Sequence, residues 1–543
     1  MPDRRHPPDT LARSANQDAR PFIEKIVADR LDLFKATVDP LSGEYRDDPY
    51  AQIKSLSEHI AADYHGRCLV ELIQNGNDAH SSDRSDGEIE VLLADEEPFG
   101  TVYVANRGLP FSEKQVDALL RVGKSSKPPG EAIGNKGLGF RSVSHLCDAP
   151  EIYSQSSAAP ATTRSFDGFC FTLEHGSALR GHFDDPRIGQ LAERDLPMFS
   201  IPKWLTEQPE RVRAFAKRGF VSVVRLKLRD EEARREALGQ FRVLMNQSAP
   251  TLVFMERLCR LTALVEGAEP ASLDRIVLQR SETRLHGSPL TVSVVNLAEQ
   301  GTFLLTRGTV PESAMKAAIA AGVAGKQLHG SWEEWSGAGE IALAVRMDDG
   351  PVAPRLYTFL PMSDGAAAPF HGYLHGSFFP TSSRKAIDST VELNRLLLEE
   401  AATLAAATVR WLAGPTVIEL HRDVIDAGTA ARAAADLIAW AKVTSLDGEY
   451  GDGSESRQDG RIDLPATVAQ QAAGAAGEFA DAAIVPCLGV TEGPSRSVEP
   501  LAWCSPRAAR FWGSESETFT VACIAYHGRS VGIAPIWPRL GEG

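Results

Sequence analysis

Glu71-Leu-Ile-Gln-Asn75-Gly-Asn-Asp78-Ala79 decides how the rest of the chain is read. It closes a long helical pattern predicted over about 50–79, with a break near His65-Gly66. Glu71, Asn75 and Asp78 stand at i, i+4 and i+7, which places them on one face of an α-helix. Two carboxylates and an amide among Leu69, Val70, Leu72 and Ile73 are costly to bury unless they serve something. Taken alone, the spacing favours the solvated stripe of an amphipathic helix.

Working outward, Glu88–Leu93 and Thr101–Ala105 read as a strand pair. The second strand runs into Asn106-Arg-Gly108, a polar side chain and then a glycine just past a strand end. That combination suits a base-edge contact with close backbone approach, and equally an ordinary turn. Ser112 is placed to cap a short helix reaching Leu120. Arg121–Ala132, which includes Lys127, is polar, basic and rich in Gly and Pro, as a flap over phosphates would be. Its Gly123-Lys124-Ser125 is not a P-loop, because that pattern needs Gly where Ala118 stands. Gly134, Gly137 and Gly139, with Lys136, Leu138 and Phe140 between and after them, precede an apolar helical stretch, Phe140–Leu146. Backbone amides at such a turn form an anion site, although any loop needing positive φ would also use glycine.

Together the three segments resemble the GHKL ATPase superfamily of gyrase, Hsp-ninety chaperones, mismatch-repair ATPases and histidine kinases. Its N box, E-x-x-x-N-x-x-D-A, fits Glu71, Asn75, Asp78 and Ala79 without a gap. The lid glycines match Gly134, Gly137 and Gly139, and Gly-Asn-Lys-Gly-Leu-Gly-Phe-Arg-Ser-Val143 is most similar to the sacsin N-terminal and NO VEIN branch. The usual second box is D-x-G-x-G. Here Asn106 replaces Asp and Leu109-Pro110 interrupts the glycines, yet an Asn oxygen still accepts from an adenine amino group.

The resemblance implies an ATP site with Mg²⁺. Glu71 would deprotonate the attacking water and Asn75 would hold the metal. Asp78, Asn106 and Gly108 would contact the nucleotide, and Lys127, Gly134, Lys136, Gly137, Leu138, Gly139 and Phe140 would surround the phosphates. Ser222, in the predicted strand Gly219–Leu228, stands where the superfamily places a Thr supporting adenine. Further on, Tyr373–Lys385 ends in Ser-Ser-Arg384-Lys385, and the resemblance makes Arg384, with Lys385 in reserve, the γ-phosphate sensor. A surface basic pair reads equally well there.

The expected fold is α/β, a Bergerat-type α/β sandwich followed by a transducer-like α/β domain and a small C-terminal α+β region. The expected divisions are an N-terminal arm and helix (1–49), an ATP-binding domain (50–229), a middle domain (230–414) and a C-terminal region (415–543) with a linker near 447–463. Asp230–Val265 reads as helical, Ser165–Glu174 and Ile276–Leu305 as strands, and Pro311–Leu328, 391–413 and Asp423–Val443 as helices.

Composition sets the outer bounds. The balance of 57 basic and 72 acidic residues, net −15, does not indicate a nucleic-acid grip. Seven scattered cysteines without a Cys-x-x-Cys pair point to a reduced, cytoplasmic chain. No apolar run reaches the ~18 residues of a membrane span. The expectation is a Mg-dependent ATPase acting as a conformational switch, either chaperone-like or in bacterial defence or stress, with an unknown protein partner or client and an ATP-dependent homodimer among the possibilities. A non-hydrolysing ATP- or ADP-binding module is the alternative. A histidine kinase stands well behind, because His59 and His65 lie within the N-box helix region.

Overall fold

The computed structural model describes residues 19–39, 45, 50, 54, 66–81, 83–120, 139–156, 165–245, 249–285, 288–348, 350–358, 360–363, 365–381, 386–412, 433, 437, 483–486 and 500–502. The chain divides into two compact units. The first comprises Met1–Asn246 with Met255–Asp274, and the second comprises Gln247–Phe254 with Arg275–Gly543. The chain therefore crosses between units three times. Both units are mixed α/β.

The first unit is built on eight strands, β1 (Gly87–Ala94), β2 (Thr101–Asn106), β3 (Glu151–Ser154), β4 (Cys170–Glu174), β5 (Ile201–Trp204), β6 (Ser222–Lys227), β7 (Leu258–Val265) and β8 (Ala271–Asp274). They form one sheet in the order β5-β4-β3-β6-β2-β1-β7-β8. Every neighbouring pair is antiparallel except β1 and β7, which run parallel. Its helices are α1 (Ala19–Thr37), α2 (Cys68–Asp78), α3 (Glu113–Leu120), α4 (Pro186–Asp195), α5 (Glu210–Lys217) and α6 (Glu231–Leu244).

Strand β1 is covered on both faces, which is why it reads as the apolar run Val-Leu-Leu-Ala. Leu92 and Ala94 join Tyr103, Ala105 and Val223 in a core with Val212, Phe215 and Ala216 of α5. Ile89 points the other way, beneath α2. Helix α1 buries Leu31 and Phe34 against Leu179, Phe183, Ala192 and Leu196, so it is part of this unit.

The predicted helix over Asp230–Val265 requires a correction. Helix α6 stops at Leu244, and Leu258–Val265 is strand β7 beside β1. Leu258, Leu261, Leu264 and Val265 have helix-like spacing, but sheet pairing with β1 overrides it. The strand expected over Ser165–Glu174 is confined to Cys170–Glu174.

The second unit holds a seven-stranded mixed sheet, order β14-β13-β15-β12-β11-β10-β9. Its strands are β9 (Ile276–Leu285), β10 (Ser288–Asn296), β11 (Thr302–Val310), β12 (Gly339–Arg346), β13 (Arg355–Thr358), β14 (Leu360–Pro361) and β15 (Tyr373–Gly376). Val292, Val294, Leu304, Leu343 and Leu374 pack beneath α7 (Glu312–Ala324) and α8 (Glu392–Leu412). A separate strand pair, Ala483–Pro486 with Pro500–Ala502, lies further along. The helix expected over Asp423–Val443 and the linker near 447–463 lie outside the described residues, apart from Ala433 and Leu437, both helical. No described helix is long and apolar enough to cross a membrane.

Candidate functional site

Helix α2 begins just after Gly66, whose φ of 77° interrupts the longer helical pattern. It lies on β1 and β2 and against a 3-10 turn at Gly139–His145. Gly76 faces the sheet, where a Cβ would sit 2.7 Å from the Ile89 Cδ1, the far end of that side chain. Leu69, Leu72 and Ile73 are buried, whereas Asn75 and Asp78 are half-buried. Glu71 is 2% exposed, with its carboxylate 3.9 Å from the Arg67 Nε one turn earlier. At the other end, Arg257 donates to the carbonyls of Asp78 and His80, a cation placed where the helix dipole is negative. His80 donates its Nδ1–H to the Gly76 carbonyl at 2.7 Å, and burial holds its pKa below the ordinary value, so the ring stays neutral.

The turn after β2 meets the end of α2. Leu109 N–H donates to the Ala79 carbonyl at 2.7 Å, and a Cβ on Gly108 would lie 2.6 Å from that same oxygen. Only glycine fits there, which explains the Asn-Arg-Gly pattern better than a generic turn does. Asn106 is fixed at both ends of its amide. Gly108 N–H donates to Oδ1 at 3.0 Å, and Nδ2 donates to Ser222 Oγ at 2.8 Å. Because the Gly108 amide can only donate, this assigns the oxygen and nitrogen unambiguously.

Asn106, Ser222 and Ser154 face one another in register across β2, β6 and β3. Ser154, fully buried, accepts from Phe111 N–H at 2.9 Å and so ties the Leu109-Pro110-Phe111 segment to the sheet. Sequence reasoning passed over Ser154, because nothing local distinguishes it from any serine at a strand end. Arg257 was missed for a similar reason, its partners lying 179 and 177 positions away, whereas Arg67 stands four residues before Glu71, a spacing that the sequence does carry.

Gly139 and Phe140 open the 3-10 turn where a helical stretch was expected. Phe140 stacks edge-on to Phe199 at 6.2 Å. The next residue, Arg141, is buried and donates to the Met198 carbonyl at 2.6 Å. Burial, reinforced by the nearby Arg30 charge, lowers its pKa to about 10. The structure thus gathers Glu71, Asn75, Asp78, Asn106, Gly108, Gly139, Phe140 and Ser222 around α2 and the adjoining ends of β2 and β6. Lys127, Gly134, Lys136, Gly137, Leu138, Arg384 and Lys385 lie outside the described residues. Among the described residues no group of three or more His, Cys, Asp and Glu side chains is placed to hold a metal.

A stretch of 192 residues, 35% of the chain, is 26% identical to Protein NO VEIN of Arabidopsis thaliana. The chain is similar to NO VEIN over that stretch. The match spans only 6% of the length of NO VEIN, so it bears on a segment of that protein and not on its whole. No family model matches the chain.

Proposed function

We propose that the first unit binds ATP with Mg²⁺ and hydrolyses it, in the manner of a GHKL ATPase with a Bergerat-type fold. The observation that carries this reading is the seating of Gly108 against the Ala79 carbonyl. It joins the Glu71–Asp78 helix to the Asn106 turn, two segments that a nucleotide site of this kind needs side by side. Asn106, locked by Gly108 and Ser222, presents a fixed acceptor to an adenine amino group. Asn75, half-buried on the same helix, offers one hard oxygen ligand. A single protein oxygen fits Mg²⁺, which keeps several waters and takes substrate phosphates as its other ligands. The metal would neutralise phosphate charge. Glu71 would take the proton from the attacking water, a contribution typically worth about 10²–10⁴-fold in rate. Arg384 is proposed as the basic residue that senses the γ-phosphate.

A second reading has one observation in its favour. Glu71 is almost wholly buried beside Arg67, which suits a module that holds ATP or ADP without turnover and acts by recruiting a protein partner. Steady-state ATP hydrolysis with Mg²⁺, wild type beside Glu71→Ala with binding confirmed in both, separates the two. Turnover that vanishes in the variant supports the ATPase. Tight binding with no turnover in either supports the binding module.

A further inference from the structure

Helix α2 does not cap its own start. The N-cap residue is Arg67, whose side chain makes no capping bond. Ser, Thr, Asp or Asn at this position would satisfy the free amides of the first turn locally. Instead the acceptors come from α6. Gln240 Oε1 accepts from Leu69 N–H at 2.8 Å across 171 positions of sequence. Gln240 Nε2 donates to Glu236 Oε1 at 3.0 Å, and the same Glu236 oxygen accepts from Gly66 N–H at 3.1 Å. Gln240 is 5% exposed, so its bond to Leu69 is made out of water, whereas the Gly66–Glu236 bond lies at the surface.

The position released from capping faces the carboxylate that matters. Arg67 Nε lies 3.9 Å from Glu71 Oε1, and Glu71 N–H closes the first helical bond onto the Arg67 carbonyl. Arg67 is thus held between two bonded neighbours, Gly66 and Leu69, both anchored on α6. A shift of that anchor moves the backbone that carries both members of the Arg67–Glu71 pair.

We propose that Gln240, backed by Glu236, is a positioning residue for Glu71: it sets the start of α2, and through it the place of the base, from a neighbouring helix. This rests on the reading of the first unit as an ATPase. Misplacing a reacting group by about 1 Å costs on the order of 10²-fold in rate, so Gln240→Leu should lower kcat about 10- to 100-fold while the ATP dissociation constant keeps its wild-type value. Gln240→Glu retains the acceptor for Leu69 but can donate to Glu236 only while protonated. Its turnover should approach wild type in mild acid and fall as the pH rises, a limb the wild-type profile lacks.

The experiment measures kcat, KM, ATP binding by calorimetry and the pH–rate profile for wild type and both variants. A Gln240→Leu enzyme that loses melting temperature and ATP affinity together, with kcat per bound ATP unchanged, overturns the positioning role and leaves a plain structural cap. If Gln240→Leu does not fold, a Gln240→Glu profile parallel to wild type overturns it instead. Wild-type protein that binds ATP without turnover removes the ATPase reading and the positioning role with it. Wild-type turnover with unaltered kcat in Gln240→Leu sinks the positioning role alone.

Discussion

Asn106 donates its amide hydrogen to the Ser222 hydroxyl at 2.8 Å, one strand away and directly opposite in register. An aspartate in the same place could only accept, so the polarity of this bond is a property of the asparagine. Asn106→Ala leaves both Gly108 N–H and Ser222 Oγ without this partner, and one unmade bond of this kind costs about 1–3 kcal/mol. ATP affinity should fall roughly 10-fold or more. Asn106→Asp keeps an acceptor and lets Ser222 donate in return, so it should bind ATP far better than the alanine variant. Calorimetric titration decides, and wild-type affinity in Asn106→Ala would remove this pair from the base site.

Asn75 is the proposed metal ligand. Asn75→Ala should lose the Mg-dependent part of nucleotide affinity while affinity measured with the metal chelated stays unchanged. Titrations with and without Mg²⁺ give the comparison, and equal loss under both conditions would assign Asn75 to the nucleotide or to packing.

Two glycines at the site make opposite demands. A Cβ on Gly108 meets the Ala79 carbonyl oxygen at 2.6 Å, which is backbone and cannot step aside. Gly108→Ala should therefore destabilise the protein by about 1–3 kcal/mol. At Gly76 the nearest atom is the tip of the Ile89 side chain, and alanine in a helix regains about 0.5–1 kcal/mol over glycine. Gly76→Ala should come out near neutral. Urea denaturation of both variants checks the ranking, and equal losses would refute it.

The sheet also carries an acid-sensitive network on the face turned away from α2. Burial would raise the Glu151 carboxyl, but bonds from Lys227 and Arg225 outweigh it and hold its pKa below the ordinary carboxylate value. Glu96 is held low in the same way by Tyr103, Thr101 and Arg225. A folded-state pKa below the unfolded one gives stability that is complete above the ordinary carboxylate value and is lost as the pH falls through the lowered one. Melting temperature should hold steady above about pH 5 and fall below about pH 4.5. Arg225→Leu removes the cation shared by two carboxylates with side-chain exposures of 10% and 26%, leaving Glu151 to Lys227 and Glu96 to Arg211. It should cost about 1–3 kcal/mol at neutral pH. A Glu96→Gln, Glu151→Gln double variant should flatten the acid limb, and an unchanged limb would place its origin elsewhere.

What could be read in the sequence was local. Strands β1 and β2 are largely apolar runs that pair through a short turn, and Ser112 does begin α3, with Gln115 bonding back to Ser112 N–H at 2.8 Å in a capping box. Glu71, Asn75 and Asp78 stand out through their match to the N box of the GHKL ATPases, since their spacing on one helix face by itself favours a solvated stripe. What escaped depended on distant partners. Strand β7 takes its conformation from β1, about 170 positions earlier in register, and its leucines alone suggest a helix. Ser154 and Gln240 matter through single hydrogen bonds to Phe111 and Leu69, which no pattern within their own segments announces. Ser222 lay between these cases: a strand-position argument proposed it, and register set it opposite Asn106.

The threefold crossing of the chain has a practical consequence for anyone dissecting the gene. A fragment ending after α6 would lack β7 and β8, leaving β1 as a bare sheet margin with its parallel neighbour gone. Exposed strand margins of that kind recruit other chains and precipitate. An excised first unit has to run through Asp274 and carry Gln247–Phe254 along as a guest loop. The two halves were thus not assembled as beads on a string, and swapping one for a foreign module requires three splice points rather than one.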